Sequence, residues 1–207
     1  LENSFGKIPK RSSGDDMIKQ KKPFETPERR QERINKMIHK IETEKADASI
    51  AIGYGVVDAT AATTGQISSI AFPDNKEDIY LSWIGAGLGI GVVGGLTILF
   101  NHEQILLDIF EGWHYYRQYL EKIPLLKGNQ INTWNGRWIS QRYGREYDSD
   151  DPLMNFNPLV PMSDGLFTLQ TVPWAGVIGG VAPNNSTSNL MGYLYSNGQR
   201  NTTHGCI

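Results

Sequence analysis

Cysteine is almost absent from this sequence of 207 residues, and the gap is informative. The single thiol, Cys206, excludes an intramolecular disulfide and any cysteine-cluster metal site. It stands second from last, whereas prenylation wants it fourth from the end. Strong net charge is lacking too: the formal value is -2, which gives no overall pull toward nucleic acid or an acidic surface. No nucleophile elbow, metal-spaced histidine pair or phosphate loop with its lysine occurs. The sequence therefore names no catalytic, metal-ligating or cofactor-binding residue, and no small-molecule substrate.

Charge that is present is unevenly placed. Leu1 to Asp47 holds twelve Lys or Arg against nine acids, while Ala48 to Phe100 keeps one base, Lys76. Residues 1–25 have few apolar side chains and several Pro, Ser and Gly, too little to offset their ordering entropy, and read as an extended basic arm. Thr26-Pro27-Glu28 reads as a helix start: Thr caps, Pro suits the first helical position, and Glu faces the positive dipole end. Ile34, Met37, Ile38 and Ile41 then form one stripe, so 26–47 is expected to be an amphipathic helix, with Arg29, Arg33, Lys36 and Lys40 on its surface. Residues 48–72 are small and uncharged apart from Asp58, and 48–80 reads as a linker or small-residue helix. Gly53-Tyr54-Gly55 there resembles a potassium-channel filter tripeptide, but Ala51 stands where the filter has Thr.

The segment Leu81 to Phe100 dominates the reading. Its twenty residues carry no charge, and at about 1.5 Å per residue they would span about 30 Å, the hydrocarbon thickness of a bilayer. As a helix it would have no wet face, so 81–100 is expected to be a transmembrane helix. Gly85, Gly87, Gly89, Gly91, Gly94 and Gly95 would line a groove that seats a neighbouring helix. Gly89-Ile-Gly91-Val-Val-Gly94 also matches the dinucleotide-binding pattern, though without the flanking βαβ context that pattern needs.

After the span, 101–123 keeps helical rhythm through Ile105, Ile109, Trp113, Tyr116 and Leu120, an aromatic amphipathic helix ended by Pro124. Residues 124–207 lose periodicity. Their prolines and glycines alternate with large rings, which predicts an irregular segment that wraps a partner, with a short strand near 166–172. The expected partner-binding anchors are Trp113, Tyr116, Trp134, Trp138, Tyr143, Phe156 and Trp174. Acidic neighbours of Arg137, Arg142 and Arg145 argue against nucleic acid.

These observations predict a mainly α, non-globular chain with a single transmembrane helix, integral to an organelle inner membrane. Its partners would be other protein subunits and the lipid bilayer. The function expected is a non-catalytic structural or assembly subunit of a large membrane complex, such as an accessory subunit in an energy-transducing membrane. Two alternatives are a virion component, either a minor capsid or a membrane-penetrating protein, and a nucleotide-dependent enzyme.

Overall fold

A computed structural model describes residues 26–47, 50–51, 75–123, 126, 128–162, 166–185, 190–197 and 201–206. The extended arm expected over 1–25 and the tripeptide Gly53 to Gly55 lie outside these residues. The chain divides into two compact units, one spanning Glu25–Gly87 and the other with its described residues from Leu88 onward.

In the first unit, α1 (Pro27–Thr43) begins where Thr26 Oγ1 accepts the Arg29 N–H at 3.3 Å. Helix α2 (Lys76–Leu88) opens after Asn75, whose side chain accepts the Glu77 N–H at 3.1 Å. Both starts satisfy backbone donors that a first turn leaves without partners. Ile41, Ile50, Ala51 and Ile79 form a small core, with Met37, Tyr80 and Trp83 packed against it. The Lys76 ammonium donates to the Ile41 and Glu44 carbonyls, and Tyr80 OH donates to Glu42 at 2.8 Å.

The second unit departs from the expected transmembrane helix. Only the first part of the charge-free stretch is helical. After Gly89 the chain forms β1 (Ile90–Val92), turns through Val93, Gly94 and Gly95, and returns as β2 (Leu96–Phe100). Gly94 and Gly95 take φ of 98° and 70°, a left-handed region that glycine enters without steric cost, so the pair reverses the chain. Ile90, Val92, Thr97 and Ile98 are β-branched and suit the strands on either side. Both strands are largely buried in the unit's core, while the turn residues Val93, Gly94 and Gly95 are exposed. Among the described residues no helix is long and apolar enough to cross a membrane. This overturns the mainly α transmembrane fold and the single-pass location in an organelle membrane; the observed content is mixed, with five helices and two small sheets among the described residues.

The remaining elements are α3 (Glu103–Lys122), a 3-10 turn at Gly128–Gln130, α4 (Ile131–Arg142), β3 (Leu159–Pro161), β4 (Phe167–Leu169), α5 (Trp174–Asn184), β5 (Gly192–Asn197) and β6 (Asn201–Cys206). The region expected to be irregular thus carries regular elements. Antiparallel strands run in the order β1-β2-β5-β6, with Phe100 opposite Gly192 and Leu96 opposite Ser196. Strands β3 and β4 form a separate hairpin. Ile90, Val92, Ile98 and Phe100 join Ile105, Ile109, Trp134, Trp138, Val177 and Val181 in one core.

The glycines divided among these elements have different duties. Gly85 sits in α2 with nothing within 4 Å of where a Cβ would be. Gly85→Ala is therefore expected to stabilise its unit by roughly 0.5–1 kcal/mol through helix propensity, read as a higher urea midpoint. A lower midpoint would restore the idea of a tight groove there.

Candidate functional site

An open cleft of about 320 Å³ lies between the β1–β2 hairpin and the start of α4. Gly91 to Leu96 form one wall, and Asn129, Asn132, Thr133 and Thr171 complete it. The lining has no charged residue. Its geometry follows from two backbones brought close together. A Cβ on Gly91 would lie 3.0–3.1 Å from the backbone of Asn132 and Thr133, and one on Gly136 would lie 2.7 Å from Gly91 O. Glycine at both positions lets the strand lie directly on the helix. Asn132 and Asn135 each donate from Nδ2 to Gly89 O at 2.8 Å, while Asn135 Oδ1 accepts from Trp113 Nε1 at 3.1 Å. Asn135 is fully buried, and these bonds satisfy it.

A second polar cluster joins three helices. The Asp108 carboxylate on α3 is nearly buried, accepting from Gln104 at 3.0 Å and Tyr143 OH at 2.7 Å, with Arg142 Nη2 at 3.5 Å. Arg142 also approaches Glu111 at 3.8 Å and covers the Tyr147 ring. Asn185, which follows α5, bonds back to Val181 O at 2.8 Å and reaches Tyr143. The carboxylate's acceptor positions are filled from inside the fold, so the cluster is arranged to hold helices together.

No family model, characterised protein or solved structure matches this chain. Its chemistry must be argued from geometry alone. Of the dinucleotide-like glycines, Gly89 precedes β1, Gly91 lies in it and Gly94 is in the hairpin turn, and an antiparallel strand follows them. A pyrophosphate site of that type needs a helix to open at that point. Among the described residues, no three His, Cys, Asp or Glu side chains are grouped to hold a metal ion.

The structure scatters the six glycines: Gly85 and Gly87 in α2, Gly89 in the link, Gly91 in β1, and Gly94 and Gly95 in the turn. They do not share one helix side. The seven aromatics separate differently. Tyr116, Trp134, Trp138 and Phe156 are buried in the chain's own core, Trp113 and Tyr143 are half-buried against it, and Trp174 alone is 54% exposed. Trp134 stacks on Tyr116 with ring centres 4.9 Å apart and meets Phe156 edge-on at 5.3 Å. Asn132 and Asn135 were not expected from the sequence. The three-residue spacing of Asn132 and Asn135, which puts both on one side of α4, was the available signal.

Burial raises the pKa of Tyr116 and Tyr119, and raises that of Tyr143 to about 12, with the Asp108 carboxylate adding to the last. Each phenol stays protonated in the fold at pH values where the unfolded chain has lost its proton. That stabilisation is complete below the ordinary tyrosine value of about 10 and is lost as pH rises through the folded values. The urea midpoint is expected to hold up to about pH 10 and then fall, less steeply in Tyr143→Phe. An unchanged slope in that variant would exclude Tyr143 as a contributor.

Proposed function

We propose that this chain is a non-catalytic structural or assembly subunit of a larger protein complex, joined through the exposed apolar side of α5. The observation that carries the reading is the composition of that helix, WAGVIGGVAPN, which has no charged residue. Val177 and Val181 are buried in the chain's own core, leaving Trp174, Ala175, Gly176, Gly179, Ala182 and Pro183 outward. A Cβ on Gly176 or Gly179 would meet nothing within 4 Å, and neither has positive φ. Packing within the chain gives no reason for them, although each costs about 1 kcal/mol of helix stability relative to Ala. A neighbouring backbone drawn close over Trp174 supplies one. The cleft beside the hairpin lacks the charged, convergent groups that general acid-base chemistry uses.

Gentle purification from the cells that make the protein tests this reading. The chain is expected to elute in an assembly larger than itself, and Gly179→Arg to elute as a monomer with unchanged far-ultraviolet circular dichroism. A wild-type monomer, or a Gly179→Arg chain still in the assembly, would overturn it.

A further inference from the structure

Helix α3 turns Ile105, Ile109, Gly112 and Tyr116 into the core. Its other side is apolar at the centre. Phe110 is 59% exposed, more than any other large apolar side chain among the described residues, and Leu107 is 54% exposed. Trp113 backs the Phe110 ring with centroids 5.1 Å apart and is itself tied to Asn135 at 3.1 Å, which fixes where that ring stands. The charges on this side are ordered about the ring. Glu103 precedes Phe110 by seven residues and Arg117 follows it by seven. A helix drifts only about 20° in seven residues, so all three lie along one side. Glu103 is exposed, and Arg117 holds Glu121 at 3.0 Å, with a guanidinium that can serve two carboxylates.

Such a side is complementary to itself when reversed. If two copies lie antiparallel about a two-fold axis at Phe110, the rings meet at the centre and each Glu103 falls level with the other copy's Arg117. A parallel pair would set Glu103 on Glu103. Anionic lipid or nucleic acid would be repelled by Glu103 and Glu121. We propose that α3 is a self-association surface on which a second copy of this chain docks antiparallel. One helix face falls short of the roughly 1,200 Å² that stable interfaces bury, so the pair is weak and depends on concentration. It goes beyond the assembly reading and uses a different surface from α5; at the dilution of a column run from cells it dissociates.

Sedimentation equilibrium of the full chain over roughly 1 μM to 1 mM tests the pairing. The wild type is expected to pass from monomer to dimer, and Phe110→Glu to stay monomeric. Glu103→Lys and Arg117→Glu are each expected to weaken the pair about tenfold or more, because each sets like charges together twice per dimer. An equimolar mixture of these two variants is expected to pair within about threefold of the wild type, since every reversed charge then meets its opposite. Gly179→Arg should pair as the wild type does. Phe110 and Glu103 are exposed, so their variants keep the fold, which far-ultraviolet circular dichroism checks. A wild type monomeric throughout, pairing indifferent to Phe110→Glu, a mixture as weak as either charge variant alone, or loss of pairing in Gly179→Arg overturns the proposal. The last result would assign self-association to α5, and the assembly reading would stand without the α3 pair.

Discussion

Trp138→Ala is expected to lower the stability of the larger unit by about 3–5 kcal/mol, the range for deleting a fully buried indole. The side chain is completely buried and donates from Nε1 to Asp108 O at 2.6 Å. Its ring lies 4.9 Å from Tyr115 and meets Tyr147 and Phe156 edge-on. On the facing helix Gly112 makes room, since a Cβ there would overlap the indole. A domain's whole stability is typically about 5–15 kcal/mol, so this one truncation removes a large share of it. Urea titration followed by the remaining tryptophans measures the loss. Trp174→Ala provides the internal contrast: its ring is outside the core, and the change should move stability by no more than about 0.5 kcal/mol. A Trp138→Ala loss below about 1 kcal/mol would mean that α3 and α4 do not pack as described.

The two tryptophans show why composition read the aromatics only in part. A large ring in a stretch without periodicity can anchor a partner or the chain's own core, and the sequence around Trp134 and Trp138 gives both the same appearance. What separates them is whether a facing element leaves space, as Gly112 does, and that pairing is non-local. Local signals were readable where they depend on adjacent residues. Thr26-Pro27 spells a helix start, and α1 begins at Pro27. The rhythm of Ile105, Ile109, Trp113 and Tyr116 spells a helix, and α3 covers it.

The charge-free stretch misled for a definable reason. Absence of charge from Leu81 to Phe100 suits a bilayer span, but Leu81, Ile84 and Val93 are exposed, and the burial that does occur is that of the two hairpin strands. Two features of the same residues pointed to a hairpin. Gly94-Gly95 is a chain-reversing pair, and it is flanked by the β-branched runs Ile90 to Val93 and Thr97 to Ile98. Weighting length over this local chemistry produced a span where the chain turns. The cleft was illegible for a related reason: its two sides, Gly91 to Leu96 on the hairpin and Asn129 to Thr133 at the start of α4, are far apart in sequence.

Asp108→Ala is expected to cost about 2–3 kcal/mol, because it strips a buried acceptor from Gln104 and Tyr143 and a counter-charge from Arg142. The distances decide which partner matters most. Tyr143 donates at 2.7 Å to a carboxylate that is 6% exposed, whereas Arg142 stands at 3.5 Å with its side chain 30% exposed and a second acid, Glu111, nearby. The hydroxyl bond is short and sheltered; the ion pair is long and screened by water. In double-mutant cycles, Asp108→Ala with Tyr143→Phe should therefore give a coupling of about 1–2 kcal/mol, insensitive to salt, and Asp108→Ala with Arg142→Ala roughly half that, falling as salt rises. Asp108→Asn keeps an oxygen acceptor and should lose less than the alanine variant. If the arginine coupling exceeds the tyrosine coupling, the carboxylate is held by charge, and the helix junction should then loosen in high salt.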